Sequence, residues 1–419
     1  MTASAKTRRP RMAVVLSGGG ARGAYEVGVL GYLREELPKR LGHMPAIDIY
    51  CGTSVGAINA AFLAATADEP TTQAARLADH WQTLNLSDVY SLEWREILRA
   101  GRLLLGGRPP PALPGELRRG GLLNTSGLER VVLRKTPWRR IATNLSAGHL
   151  DALAVSATHV RSGNTVVFVE RAGGGLPPWS RDPNVRARAV SVGPLHVLAS
   201  AAIPVLFPAV NVDGTFYCDG GLRQNTPISP ALRLGADRVL VISLRHLAPA
   251  AEEKILDADA EDFYPSPWHL FGKTLNALLL DHTDYDLDRL RRLNAIIEGG
   301  IRAFGDRFEA ELASVLTPLR GQTARLVRPM LIRPSSDIGR IAAEYARTPR
   351  LMGMPGLLGR ALHYLTRAEQ VNEADMLSYL LFDGGYCREL IELGRRDARA
   401  REDELVEFFA DTPVLEAVS

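Results

Sequence analysis

The residue best suited to chemistry is a serine between two glycines, in the run Gly52-Thr53-Ser54-Val55-Gly56. The run follows a strand-like segment at residues 47–51 and leads into small, helix-forming residues at 57–65. Glycines on a tight turn from strand to helix remove the side chains that would crowd a hydroxyl group. The pattern predicts that Ser54 is a nucleophile, although a serine in this position is also typical of a simple helix N-cap.

A glycine-rich loop, Gly18-Gly19-Gly20-Ala21-Arg22-Gly23, follows a predicted first strand at residues 12–16. The next residues, 24–30, have a helical pattern. Such a loop leaves backbone N–H groups without partners at a helix N-terminus, where the helix dipole also favours negative charge. We therefore predict that the loop holds an anion, which is either an oxyanion or a phosphate.

A dinucleotide site is one alternative use of this loop. It needs an acidic residue at the end of the second strand, roughly 20 residues past the glycines. Here Asp48 lies inside the predicted second strand, which ends instead at Tyr50, Cys51 and the serine turn. This arrangement disfavours a nucleotide cofactor.

An aspartate followed by two glycines, Asp219-Gly220-Gly221, comes after a turn at residues 212–215 and the residues Phe216, Tyr217 and Cys218. Its carboxylate is expected at a strand end where the backbone turns sharply. Taken alone, the motif indicates only a turn. Taken with the serine and the glycine loop, it supplies a general base.

The three motifs occur in the order found in patatin-like phospholipases, and residues 200–208 resemble the segment before that family's aspartate motif. The chain resembles this family over residues 11–245. The resemblance implies a serine lipid acyl hydrolase in which Ser54 is the nucleophile and Asp219 is its partner in a catalytic dyad. It also implies an oxyanion hole at residues 18–23 and no metal or organic cofactor.

The chemistry of this dyad follows from the two side chains. Asp219 would take the Ser54 proton and return it to the leaving alcohol, after which water would hydrolyse the acyl-serine. Free aspartate has a pKa of about 3.9 and is a weak base at neutral pH. We expect burial beside Phe216 and Tyr217 to raise the pKa of Asp219. Each well-placed loop donor would stabilise the oxyanion by about 3 to 4 kcal/mol.

A Ser-His-Asp triad is the main alternative among hydrolases, because α/β-hydrolases use the same serine motif with a histidine after the acid. Ser54 follows only the second predicted strand, which is early for that fold. Four histidines follow Asp219, and we predict surface or packing roles for them: His246, His269, His282 and His363. A neutral-lipid esterase, a catalytically silent lipid-binding protein and a nucleotide-binding protein also remain open.

The composition of the chain limits the kinds of partner that it can bind. The chain has 419 residues, of which 46% are hydrophobic and 23% charged, so it can bury a large core. A net charge of +3 is too small to indicate nucleic acid. Basic clusters at residues 6–11 and 118–140 predict contact with anionic lipid headgroups or simply a solvated face. Three cysteines without metal-ligand spacing favour a cytoplasmic location, with peripheral contact at the inner membrane face as the alternative.

Strand-like and helical segments alternate, which favours a three-layer α/β/α fold with a largely parallel central sheet. We predict a catalytic domain over residues 11–335, with a helical insertion at 265–320, and a helical C-terminal extension at 336–419. Residues 101–111 place leucines among glycines and prolines, and we interpret them as a lid or an ordinary surface loop. The predicted strands are residues 12–16, 47–51, 153–158, 165–170, 238–244 and 329–333.

Overall fold

The computed structural model describes residues 7–91, 102, 115–179, 182–247, 283–305, 307–320, 325–352, 374–410 and 414–415. Apart from residue 102, the predicted lid or loop at residues 101–111 lies outside the described residues. The same is true of His269, His282 and His363.

The strands run in chain order as β1 (Thr7–Arg8), β2 (Met12–Leu16), β3 (Ile49–Thr53), β4 (Arg118–Arg119), β5 (Ala152–His159), β6 (Thr165–Arg171), β7 (Val185–Ala189), β8 (Ala209–Val212), β9 (Thr215–Asp219), β10 (Arg238–Ile242), β11 (Arg328–Ile332) and β12 (Val414–Leu415).

The helices of the catalytic motifs and their surroundings are α1 (Ala24–Glu35), α2 (Leu37–Leu41), α3 (Val55–Ala65), α4 (Pro70–Gln82), α5 (Leu86–Val89), α6 (Ser126–Lys135), α7 (Arg139–Ala147), α8 (Pro194–Ser200), α9 (Gly221–Gln224) and α10 (Ile228–Arg233). Those nearer the C-terminus are α11 (Thr283–Phe304), α12 (Arg307–Arg320), α13 (Ile338–Ala346), α14 (Pro349–Met352), α15 (Ala374–Leu380), α16 (Gly384–Arg399) and α17 (Glu402–Phe409). A short 3-10 helix, Gly20–Gly23, precedes α1.

Ten of the described strands form one sheet. Its central run β11-β10-β2-β3-β5 is parallel throughout, whereas β9, β8 and β4 continue it with antiparallel pairing. On the other edge of β5, β6 pairs antiparallel and β7 follows in parallel with β6. The prediction of a largely parallel central sheet is therefore confirmed.

The core lies on both faces of this sheet. Along β2, Val14 and Leu16 pack into one apolar cluster with α1 and α3, whereas Ala13 and Val15 pack into a second cluster with α10 and α11. Successive side chains of a strand point to opposite faces, so a strand that is buried throughout must be covered on both sides. The expected α/β/α layering is confirmed.

The second strand lies two residues later than predicted, at Ile49–Thr53 rather than 47–51. Just before the strand, the Asp48 carboxylate accepts hydrogen bonds from the Met12 N–H and the Arg9 guanidinium. At the other end, Thr53 still pairs with Ser156 of β5. The strand therefore ends directly at Ser54.

The C-terminal helices pack against the N-terminal part of the chain. A Cβ on Gly394 of α16 would collide with the Tyr25 carbonyl of α1, so the two helices meet backbone to backbone. The hydroxyl of Tyr25 donates to Asp397 at 2.9 Å and that of Tyr32 to Glu402 at 2.7 Å. The domain boundary predicted at residue 336 stays a prediction, but the segment beyond it shares the main apolar cluster.

None of the helices in the described ranges is both long enough and apolar enough to span a bilayer. The three cysteines are free thiols, with Cys51 and Cys387 buried and Cys218 half-buried.

Candidate active site

Ser54 occupies the turn between β3 and α3 with φ of 55° and ψ of −125°. A positive φ is strained for a residue other than glycine and is typical of functional turns. A Cβ on Gly52 would collide with the Gly56 carbonyl, and one on Gly56 with the Leu16 carbonyl. Both flanking glycines are therefore required by close backbone approach, as the serine motif predicts.

Ser200, the last residue of α8, holds this turn in place. Its Oγ accepts the Ser54 N–H at 2.8 Å and donates to the Ser156 carbonyl of β5 at 2.6 Å. No local pattern marks Ser200 for a role, because a serine in a run of small residues resembles many others. The nearest signal was its position at the start of residues 200–208, the family-like segment.

Asp219 ends β9 and meets Ser54 directly. Its Oδ2 lies 2.6 Å from Ser54 Oγ, and its Oδ1 accepts the Gly221 N–H at 2.7 Å. Its own carbonyl accepts the Thr158 hydroxyl at 2.9 Å, which fixes the backbone. The structure thus brings together the two residues that the sequence singles out from positions 165 residues apart.

Burial raises the pKa of the Asp219 carboxyl to about 7. The hydrogen bonds from Ser54 and Gly221 lower this pKa, but they offset only part of the rise. The side chain is fully buried, and a charged carboxylate loses its hydration there. The upward shift predicted from the sequence is confirmed. A carboxylate with a pKa near neutrality is a much better proton acceptor at neutral pH than free aspartate.

The glycine loop lies against the serine. A Cβ on Gly18 would be 3.0 Å from Ser54 Cβ. Two hydrogen bonds tie the loop to Asn225, from the Gly18 N–H to the Asn225 carbonyl and from Asn225 Nδ2 to the Gly18 carbonyl, each 3.1 Å long. The N–H groups of Gly19 and Gly20 meet no acceptor among the described residues. These are the donors that an oxyanion could use.

The remaining loop residues, Ala21, Arg22 and Gly23, are buried. A Cβ on Gly23 would collide with the Val55 side chain, so the loop also packs on the start of α3. Arg22 Nε donates to Ser378 Oγ at 2.7 Å, and its guanidinium carbon lies 4.2 Å from the centre of the Tyr379 ring.

A buried polar network supports the loop from α1, α3 and α4. Asn59 Nδ2 donates to the Gly23 carbonyl at 3.2 Å and to Glu26 at 2.9 Å, while Trp81 Nε1 donates to Asn59 Oδ1 at 3.0 Å. Burial raises the pKa of Glu26 well above its usual value. The network fixes the loop carbonyl at the start of α1.

His246 takes no part in this pair, because its Nδ1 lies 3.0 Å from the Pro334 carbonyl and Ser54 bonds Asp219 directly. Of the four histidines considered for a triad, it alone lies in a described range.

An apolar cavity of about 50 Å³ is lined by Val55, the residue after the serine. Ile58 and Phe62, on the same face of α3, line it as well, together with Leu128 of α6 and Phe382. Lys135 also borders the cavity. An apolar chain would be sheltered from water there.

A mostly parallel α/β/α fold with a serine hydroxyl in contact with a buried carboxylate has the architecture of a serine hydrolase. Residues 14–232 match the model of the family described as Patatin-like phospholipase, which is more than half of the chain. The chain belongs to the patatin-like phospholipase family. This membership supports lipid acyl hydrolase activity.

The solved structures to which this chain is similar are distant in sequence. VipD from Legionella pneumophila is 14% identical, with 94% of this chain and 69% of that chain covered and a TM-score of 0.29. Human GIVD cytosolic phospholipase A2 is 14% identical, with coverages of 96% and 60% and a TM-score of 0.39. ExoU from Pseudomonas aeruginosa, in its complex with SpcU, is 16% identical, with coverages of 89% and 75% and a TM-score of 0.30. The chain thus spans less than two thirds of the human enzyme.

Proposed function

We propose that this protein hydrolyses fatty acyl esters of phospholipids or lysophospholipids through a Ser54–Asp219 dyad. The observation that carries the proposal is the 2.6 Å contact between Ser54 Oγ and Asp219 Oδ2. This distance is typical of a hydroxyl donating to a carboxylate.

In the first half of the reaction, Asp219 Oδ2 takes the Ser54 proton as Ser54 Oγ attacks the ester carbonyl carbon. The Gly221 N–H keeps Oδ1 occupied, so Oδ2 is the oxygen aimed at the serine. Negative charge develops on the carbonyl oxygen, where the N–H groups of Gly19 and Gly20 stabilise it.

Collapse of the tetrahedral intermediate breaks the bond to the alcohol oxygen, which receives the proton from Asp219. The acyl group remains on Ser54 Oγ. Water then attacks the acyl-serine, giving its proton to Asp219, and Ser54 recovers that proton as the fatty acid leaves. One water is consumed for each ester bond, and no metal or organic cofactor is required.

Two further features support sites for the acyl chain and for the membrane surface. The apolar cavity along α3 is lined by Val55, the residue after the nucleophile, and suits part of a fatty acyl chain. Exposed Arg130, Arg134 and Lys135 of α6, with exposed Leu133 among them, suit an anionic lipid surface. We refer to these four residues as the α6 basic face. The cytoplasmic location expected from the sequence stays a prediction.

The dyad is tested by labelling the purified protein with a fluorophosphonate, which phosphonylates activated serines. We expect rapid labelling of the wild type and none of Ser54→Ala. Ser146→Ala, which changes an exposed helical serine, is the matched control and should label like the wild type. Equal labelling of all three proteins would rule out Ser54 as the nucleophile.

Hydrolysis of a panel of phospholipid, lysophospholipid and triacylglycerol then separates the remaining functions. Release of fatty acid from triacylglycerol alone would favour the neutral-lipid esterase. Lipid binding without labelling or hydrolysis would favour a silent lipid-binding protein, and thermal stabilisation by a nucleotide would favour nucleotide binding at the glycine loop.

A further inference from the structure

The C-terminal helix α15 lies directly on the glycine loop. Ser378 and Tyr379, neighbours on α15, are both completely buried. Ser378 Oγ accepts the Arg22 Nε–H at 2.7 Å, and the Tyr379 ring lies beneath the guanidinium. The most polar side chain of the loop is therefore held by a segment more than 350 residues away in sequence.

The backbones of the loop and of α15 also fit closely. Gly20 has a φ of 57°, and a Cβ there would collide with the Tyr379 carbonyl. Among the described residues, the Gly20 N–H, like that of Gly19, meets no acceptor. The position of α15 therefore limits where this donor can lie.

The C-terminal end of α15 and the turn that leads from it to α16 are held by the core. The Leu380 carbonyl accepts the Tyr90 hydroxyl, and the Gly384 N–H donates to the Leu84 carbonyl at 2.8 Å. Asp383 accepts the Tyr345 hydroxyl at 2.5 Å. Because α15 is held at these points, it can hold the glycine loop that it covers in one position.

Oxyanion donors act only when they are aimed correctly before the charge develops. We propose that Ser378 and Tyr379 are positioning residues for the reaction, acting through Arg22 to set the geometry of the Gly19 and Gly20 donors. The catalytic effect rests on the proposed function. The structural coupling between α15 and the loop does not.

The test compares Ser378→Ala and Tyr379→Leu with the wild type on a soluble short-chain ester. We expect kcat to fall about 10- to 100-fold, which is the effect of displacing a catalytic hydrogen-bond donor. KM should stay within about twofold of the wild-type value. The pH midpoint of kcat should not move, because neither residue bonds Asp219. Ser378→Thr retains the hydroxyl group and should recover most of the activity.

Tyr32→Phe is the matched control. It also removes a partly buried hydrogen bond between α1 and the C-terminal helices, but at the end of α1 far from the loop. It should lower thermal stability without changing kcat. If Ser378→Ala loses activity only in proportion to lost folded protein, or if Tyr32→Phe lowers kcat equally, the positioning role is wrong.

Amide hydrogen exchange read by mass spectrometry separates this inference from the proposed function. Ser378→Ala should accelerate exchange in a peptide containing residues 18–23, whereas Tyr32→Phe should leave that peptide unchanged. Unchanged exchange in Ser378→Ala would overturn the coupling even in an active enzyme. A wild type without esterase activity but with faster loop exchange in Ser378→Ala would overturn only the proposed function and the catalytic effect.

Discussion

Asp219 is completely buried, and within the described ranges its carboxylate oxygens accept two hydrogen bonds, from Ser54 and Gly221. If Asp219 is the general base, it must be ionised to act, and its pKa of about 7 sets the pH at which this occurs. We expect kcat on a soluble ester to rise with pH through about 7 and then reach a plateau. A flat kcat between pH 5 and about 8 would contradict this assignment.

The same pKa predicts how stability depends on pH. The folded state holds the Asp219 proton up to a pH of about 7, whereas the unfolded chain releases it near a pH of about 3.9. The free energy of unfolding should therefore contain a contribution that is fully present below pH of about 4 and lost as pH rises to about 7. The contribution is up to about 4 kcal/mol.

Urea unfolding of wild type and Asp219→Asn between pH 4 and about 8 measures this contribution. The stability difference between the two proteins should change with pH, because the asparagine has no proton to release. Asp403→Asn, at a highly exposed position, is the control and should follow the wild type. A pH-independent difference between wild type and Asp219→Asn would show that the pKa of Asp219 is not raised on folding.

At this scale the sequence predicted the paired residues but not the groups that hold them. Ser54 and Asp219 could be found because glycines mark their turns. Ser200 and Asn225 contact the site through ordinary hydrogen bonds to backbone groups. Such bonds depend on how the sheet brings distant segments together, which no local pattern records.

Among the elements, α3 follows the proposed nucleophile directly and borders the apolar cavity along its side. Ile58→Trp should fill part of that cavity and reduce kcat/KM about tenfold for a long-chain ester, with little change for a short-chain ester. Ile296→Trp, at an exposed isoleucine on α11, is the control. Equal losses for the two ester lengths would mean that the cavity does not receive the acyl chain.

Some arginines of the basic clusters predicted from the sequence form ion pairs in the fold, whereas others face solvent. Near the N-terminus, Arg8 pairs with Asp237, Arg9 with Asp48 and Arg11 with Asp151. Within residues 118–140, Arg118 pairs with Glu129, and Arg140 pairs with Asp68 and Glu69. Charge counts along a chain cannot distinguish these paired arginines from those that face solvent on α6.

The double variant Arg130→Glu/Arg134→Glu tests the α6 basic face. Binding is measured by sedimentation with phosphatidylcholine vesicles that contain 30% phosphatidylserine, a composition of about physiological anionic charge. The wild type should bind these vesicles, and the variant should bind them about tenfold or more weakly. Binding should weaken with salt. Arg302→Glu changes an exposed arginine on α11 and should bind like the wild type. Unaltered binding of the double variant would place the membrane contact elsewhere.

Across the whole molecule, the alternation of strands and helices was sufficient to predict the layered fold and its mostly parallel sheet. It was not sufficient to predict where the C-terminal helices pack. Their amphipathic pattern shows that each needs an apolar partner, but not which one. The close backbone contact of Gly394 with the Tyr25 carbonyl shows that α16 packs on α1. The periodicity of the sequence alone does not predict this pairing.

The integration of the C-terminal helices predicts that the chain does not tolerate their removal. Tyr386, Leu390, Ile391, Leu393 and Phe408 are all at most 1% exposed and belong to the main apolar cluster. Burial of five such side chains contributes roughly 8 to 15 kcal/mol, which is comparable to the entire free energy of unfolding of a typical domain. A chain ending at residue 373 would also leave the apolar face of α1 exposed to water.

We therefore expect the protein truncated after residue 373 to be unfolded or aggregated, as judged by the loss of a cooperative thermal transition. Truncation after residue 410 removes only the segment that contains β12 and should retain a cooperative transition. If the shorter chain instead melted cooperatively near the wild-type temperature, the C-terminal segment would be a separable extension, as its sequence first indicates. Its contacts with α1 and the glycine loop would then contribute little to the stability of the catalytic core.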